Sequence, residues 1–208
     1  MYVPAVYRER RREVLLAAIR ARSFGTLISV AREGIQTSQV PFAVVGSGQR
    51  AELVAHLARS NPQWHEIGNG EDVVAAFLVD DAYISPDWYP SKHKTGRAVP
   101  TWNYISVEAR GPAELVDAPS GVREMVETLT RRHESGRARP WSLGDAPKEY
   151  IAQRLRQIVG IRLRPRTLLG AWKLDQERSA ADRRGAAQGL REVDGRPGMA
   201  KRMLRPSR

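Results

Sequence analysis

The chain has 208 residues, 41% of them hydrophobic, which suits one substantial domain or a domain with a small appendage and excludes wholesale disorder. No apolar run approaches the roughly 20 residues of a membrane span, and Arg8 to Arg12 precede only a short apolar patch with charges on both sides, unlike a signal peptide, so a cytoplasmic, membrane-free protein is expected. Cysteine is absent and the four histidines have no close ligand spacing, so no metal is expected, while a formal charge of +11 and a pI of about 10.6 favour anionic partners.

The chain opens with a helical period in Val14, Leu15, Ala18 and Ile19, predicting an amphipathic helix from about Arg8 to Arg22. Its basic face reads as solvated, because no turn and second helix follow to make a helix-turn-helix. Phe24 to Val30 reads as a strand, Glu33-Gly34 as a turn and Thr37 to Val45 as the partner strand. Gly46-Ser47-Gly48-Gln49-Arg50-Ala51 fits G-x-G-x-x-A and has two readings. With a helix after it, the segment is a dinucleotide fingerprint with Glu71 or Asp72 on the ribose; with a strand after it, the segment is a hairpin turn. The hairpin is favoured, since strands dominate the next fifty residues where crossover helices would be required. Pro62 opens a short helix, with Asn61 as an N-cap or, with Arg59 and Ser60, an anion contact. The apolar run Asp72 to Val79 predicts a central, doubly buried strand, with Asp80-Asp81 as the turn after it.

Ala82 to Tyr104 collects Tyr83, Trp88, Tyr89, Trp102 and Tyr104 around the basic segment Ser91 to Arg97, as two strands joined by a loop. Rings that stack and donors that meet a phosphate suit a planar anionic ligand such as flavin mononucleotide. The alternative is that the rings are core and the loop a solvated turn. A strand continues from Ile105 to Val116 with a break near Gly111-Pro112. Strand spacing in the first 116 residues is that of a closed barrel rather than a βαβ sheet. Helices are expected over Pro119 to His133 and Lys148 to Arg156, strands over Ile158 to Arg164 and Gly170 to Leu174, and a short helix over Ala180 to Leu190. Gly195 to Arg208 reads as a mobile basic tail without an apolar period. A barrel domain over residues 1–178, with helices inserted near 119–156, followed by a helix and tail over 179–208, summarises the organisation.

Several segments, taken in order, closely resemble the FMN-binding negative transcriptional regulator family, the PaiB-like proteins. They are Met1-Tyr2-Val3-Pro4, Ser23-Phe24-Gly25-Thr26, His56 to Trp64, Tyr83-Ile84-Ser85-Pro86, Trp88 to Lys92, Val99 to Tyr104, and Ile158-Val159-Gly160 with Trp172-Lys173-Leu174. The resemblance implies a mainly β, α+β fold, the FMN-binding split barrel, as a homodimer with FMN at the subunit interface. It implies cofactor contacts from Thr26, Ser29, Ser38, His56, Arg59, Asn61, Trp88, Lys92, Thr101, Trp102 and Asn103, with Lys173 and Gln176 closing the site from the partner chain. Gln39, Glu108, Asp175 and Glu177 depart from the family's pattern, and a carboxylate at Glu108 would repel a phosphate beside it. Three functions follow: a flavin-binding repressor that contacts DNA through its basic surface and tail, an FMN-dependent oxidoreductase with a nicotinamide donor, or a cofactor-free partner-binding barrel.

Overall fold

The computed structural model describes residues 1–31, 34–67 and 72–204, so Glu33 and Glu71 lie outside the described residues. A short turn of helix at Ala5–Tyr7 leads into β1 (Arg8–Glu9) and then α1 (Arg12–Ala21), which buries Leu15, Leu16 and Ile19. The helix expected from Arg8 to Arg22 thus starts four residues later and ends one residue earlier. Arg8 and Glu9 pair instead with Ala171 and Gly170, and the Glu9 carboxylate accepts the backbone N–H groups of Arg10 and Arg11 at 2.9 and 2.8 Å, ending the strand before the helix begins.

Next come β2 (Phe24–Ala31), β3 (Gly34–Pro41), β4 (Ala43–Val45) and β5 (Glu52–Ala58), so the single strand expected over Thr37 to Val45 is two, divided at Phe42. β2 and β3 pair antiparallel with Thr26 opposite Gln39, and β4 and β5 pair with Val44 opposite Leu53. The glycine segment between β4 and β5 is therefore a hairpin turn, with positive φ at Gly46 and Gly48, and the dinucleotide reading falls. α1 clasps that turn: Arg12 Nε donates to the Gly48 carbonyl at 2.6 Å and Glu13 accepts its N–H at 2.8 Å.

After α2 (Gln63–Ile67), β6 (Asp72–Ile84) is longer than expected and runs straight through Asp80-Asp81. It buries Val73, Ala75, Phe77 and Val79 and leaves Leu78 exposed, so one face is buried rather than both. The two aspartates tolerate the strand because Arg196 bonds both carboxylates and Arg202 bonds Asp80, which replaces the water a turn would have given them. α3 (Pro90–Thr95) occupies the basic segment and ends on Gly96 at φ +66.

β7 (Thr101–Val116) has no break at Gly111-Pro112. A Cβ on Gly111 would lie 2.2 Å from the Arg164 carbonyl, so glycine admits a neighbouring backbone rather than ending the strand. α4 (Pro119–Glu134), α5 (Lys148–Leu155), β8 (Ile158–Leu163), β9 (Thr167–Lys173) and α6 (Ala180–Glu192) follow close to expectation. The tail does not: α7 (Pro197–Leu204) buries Met199, Ala200 and Met203, a one-turn apolar spacing hidden among arginines.

The strand order is β3-β2-β6-β7-β8-β5-β4, with β9 on β7 and β1 on β9. The ladder is not closed, contrary to the closed barrel expected from strand spacing. Its two ends, β3 and β4, are one stretch of chain interrupted at Phe42, whose N–H turns aside to the Ser23 carbonyl at 2.8 Å. The result is a mostly antiparallel split barrel with flanking helices. Contacts divide it into a first unit, Met1–Arg11, Leu78–Val107 and Leu169–Arg208, and a second, Arg12–Phe77 and Glu108–Leu168.

Candidate functional site

Six of the expected cofactor residues lie in the second unit, and most of their hydrogen-bonding capacity is spent locally. Asn61 caps α2, its Oδ1 accepting the Gln63 N–H at 3.0 Å, and its Nδ2 donates to Ser38 Oγ at 2.8 Å. Ser38 Oγ in turn donates to Gln63 Oε1 at 2.6 Å. Gln63 is 1% exposed, and its Nε2 reaches Ser29 Oγ at 3.0 Å and the Gln36 carbonyl at 3.3 Å. Three predicted flavin contacts, Ser29, Ser38 and Asn61, thus converge on a buried amide that the sequence reading left without a role. The apolar neighbours Ile28 and Val40 gave no hint that the strands face a polar partner there; the signal was Gln63 two residues after the cap.

Thr26, on β2, exchanges hydrogen bonds with Gln39 across the hairpin at 2.9 Å. His56, on β5 opposite Gly160, has its Nδ1 buried without a partner, and burial lowers its pKa, so the imidazole is neutral. The Arg59 guanidinium is occupied by the Asp117 carboxylate and by the carbonyls of Arg156 and Ile158, both at 3.1 Å.

The other seven lie in the first unit. Lys173, at the end of β9, places its Nζ on Thr101 Oγ1 at 2.5 Å and on the Trp102 carbonyl at 2.6 Å. Trp102 is 55% exposed and meets the exposed Tyr83 edge to face at 6.0 Å between ring centres. An ammonium, a hydroxyl and two uncovered rings therefore sit within a few residues of one another. Strand alternation sends Asn103 to the opposite, fully buried face of β7, where neither polar atom of its amide has a hydrogen-bond partner.

Trp88 and Lys92 are held in the loop itself. Lys92 pairs with Asp87 at 2.5 Å. The Trp88 ring lies over α6, where a Cβ on Gly189 would come within 2.3 Å of it. α6 also supplies Asp182, whose carboxylate accepts the Ser91 N–H at 2.9 Å at the start of α3; burial opposes its charge, but this bond and that from Ser179 hold its pKa low.

Behind Lys173, every residue from Asp175 to Arg178 pins the turn. Asp175 stands at φ +58, buried, and accepts the Tyr89 hydroxyl at 2.8 Å; burial raises its pKa, against the hydrogen bond of Tyr89 and the nearby Asn103 amide. The Asn103 amide is near enough to act on that charge without forming a hydrogen bond of ordinary geometry. Gln176 bridges the Trp172 carbonyl and the Leu174 N–H, Glu177 accepts the Tyr7 hydroxyl at 2.7 Å, and the Arg178 guanidinium lies 4.5 Å from the centre of the Tyr89 ring. Burial, followed by Glu177, pushes the Tyr7 hydroxyl up to about 12, and burial with Asp175 pushes Tyr89 up as well. Tyr7, Arg178 and the acceptor role of Asp175 were not foreseen, and only the run of four polar residues after Lys173 could have signalled them.

These groups fit a flavin nucleotide. In the first unit, two exposed rings match a conjugated ring system and the clamped Lys173 matches an anionic phosphate.

Comparison with known proteins points the same way. Residues 1–166 match the family model described as "Putative FMN-binding domain". A Bacillus subtilis protein, "Protease synthase and sporulation protein PAI 2", is 27% identical, the match covering 88% of this chain and 85% of that one. An uncharacterized protein of Emericella nidulans is 28% identical over 93% of this chain and 91% of its own. Among solved structures, the FAD and heme binding protein of Mycobacterium smegmatis superposes with a TM-score of 0.57 at 17% identity, covering 80% of this chain and 73% of that chain. A conserved hypothetical protein of Mycobacterium tuberculosis gives 0.58 at 14% identity, covering 86% and 94%. At such identities these structures establish the fold alone, and no helix of the described residues is long and apolar enough to cross a membrane. The chain belongs to this FMN-binding domain family, of the PaiB-like type, and its cofactor is a flavin.

Proposed function

We propose that the protein binds FMN as a homodimer, with the flavin at the subunit interface, and acts as a negative transcriptional regulator that contacts DNA through its basic surface. The observation that carries the reading is the Lys173 clamp: a cation held by Thr101 and the Trp102 carbonyl beside two exposed rings. Bound FMN supplies a ring that takes up and returns electrons. Lys173 and Thr101 hold its phosphate, and Trp102 with Tyr83 covers the ring and excludes water. Thr26, Ser29, Ser38, His56, Arg59 and Asn61 act chiefly by shaping the second unit, and Trp88, Lys92, Asn103 and Gln176 by shaping the first. The exposed apolar residues Phe24, Val30 and Ile35 on β2 and β3 support a dimer, since a partner packed on them would remove apolar surface from water. The charge of +11 supports an anionic polymer as the target, and the Bacillus subtilis relative's name connects it with protease synthesis and sporulation, in keeping with a regulatory role.

Visible absorbance of the purified protein and FMN titration test the cofactor site. Lys173→Met is expected to weaken FMN by roughly tenfold to a hundredfold, the loss of a charge-assisted contact; equal affinity would remove Lys173 from the site. Fluorescence anisotropy with duplex DNA at rising salt tests the regulator. Binding that weakens steeply with salt is expected, whereas undetectable binding together with flavin-dependent nicotinamide oxidation above that of free FMN would favour the oxidoreductase.

A further inference from the structure

A second cavity, of about 500 Å³, lies wholly within the second unit between α4 and the following loop. Arg123, Glu127, Arg131 and Glu134 line one side, spaced along one face of the helix, and Trp141 and Leu143 line the other. The loop is fastened at both ends. The Glu134 carboxylate accepts the Trp141 N–H at 3.0 Å, and Ser142 and Asp145 cap one another through N–H···Oδ2 at 2.7 Å and Oγ···Oδ2 at 2.9 Å. Leu143 is buried beneath it and Trp141 remains 44% exposed.

The charges do not cancel. Glu127 faces Arg123 at 3.4 Å, and Glu134 is shared between the Trp141 N–H and Arg137, the latter at 3.0 Å. Arg131 stands at i+4 from Glu127 and i−3 from Glu134, spacings at which an ion pair is favoured, yet both carboxylates are engaged elsewhere. Among the described residues its guanidinium has no hydrogen bond or ion pair. The cavity therefore offers an exposed ring, an apolar floor and one unpaired, fork-shaped cation. Its volume falls within the range of small-molecule sites.

We propose that this cavity is a small-molecule site for a planar aromatic monocarboxylate, its ring against Trp141 and Leu143 and its carboxylate taken bidentately by Arg131. One unpaired cation sets the ligand's charge at minus one, and the two flanking glutamates disfavour dianions such as phosphate esters. The site shares none of the residues proposed for FMN.

Ligand-observed NMR titration of the full chain, with and without saturating FMN, tests this with 2-naphthoate and its uncharged analogue 2-naphthalenemethanol. Saturable 2-naphthoate binding is expected, undisturbed by FMN, with the alcohol weaker by roughly tenfold or more. Arg131→Gln, at an exposed helix position, should weaken the acid by the same factor and leave the alcohol unchanged. Trp141→Ala should weaken both. No saturable binding, equal affinity of wild type and Arg131→Gln for the acid, or complete displacement by FMN would each overturn the proposal. Circular dichroism checks that the variants fold, and if Trp141→Ala does not, the Arg131→Gln comparison decides alone.

Discussion

Each unit gathers a polar cluster around a buried residue, Gln63 in one and Asp175 in the other, and the clusters are built on opposite principles. In the second unit Gln63 joins Ser29, Ser38 and Asn61 through neutral amides and hydroxyls, with its donors and acceptors engaged. Such a network has little to gain from a ligand and fixes the hairpin to α2. In the first unit Asp175, Glu177, Tyr89, Tyr7 and Arg178 carry charge or resist ionisation, one residue stands in the left-handed region, and among the described residues the buried Asn103 amide, though near Asp175, forms no hydrogen bond of ordinary geometry. Backbone strain and an unsatisfied buried amide persist where the surroundings over-determine them, which is characteristic of binding sites. The contrast separates groups that hold the fold from groups that hold Lys173 in place.

The sharpest way to break it is Gln63→Leu. Removing the amide leaves the buried Ser29 hydroxyl without its Gln63 partner and Ser38 with Asn61 alone, and a loss of about 3 kcal/mol is expected in urea unfolding. Because no member of that network titrates, the loss should be the same at pH 5 and pH 9; a strong pH dependence would erase the distinction between the clusters.

Asp175 gives the converse. Its raised folded pKa means that stability falls as pH rises from the unfolded carboxylate value through the folded one, leaving a standing cost at neutral pH. Asp175→Asn keeps an acceptor for Tyr89 and tolerates positive φ, so at pH 7 it should be neutral or stabilising by up to about 1 kcal/mol, an advantage that disappears on acidification. Asp175→Val has neither property and should destabilise at every pH. Thermal melts across pH 3 to 8 distinguish the two outcomes.

The smallest effect concerns Tyr7. With its hydroxyl raised to about 12, the folded state retains the proton that an unfolded tyrosine releases near 10, so this contribution is complete below about pH 10 and is lost between 10 and 12. Tyr7→Phe should flatten that alkaline limb while changing stability at pH 7 only slightly. An unchanged limb would assign the alkaline loss to Tyr89, whose hydroxyl is also raised.

Periodicity alone placed most elements, because a helix or strand with one buried face must repeat its apolar residues at 3.6 or 2. Leu15 and Ile19 in α1, Val122, Met125 and Leu129 in α4, and the alternation along β2 could each be read directly, as could the hairpin in place of a dinucleotide loop. Seven short segments in order sufficed for the family and, through it, for the cofactor class. Tertiary structure decided what depends on partners distant in sequence. β6 continues through Asp80 and Asp81 because arginines more than a hundred residues later neutralise them. Gly111 lies mid-strand because Arg164 approaches it, α7 forms because Met199 and Met203 find a core, and Ser29, Ser38 and Asn61 point to Gln63 because α2 folds over the hairpin. A donor or charge in a sequence shows only that it needs a partner, and folding determines which one it meets.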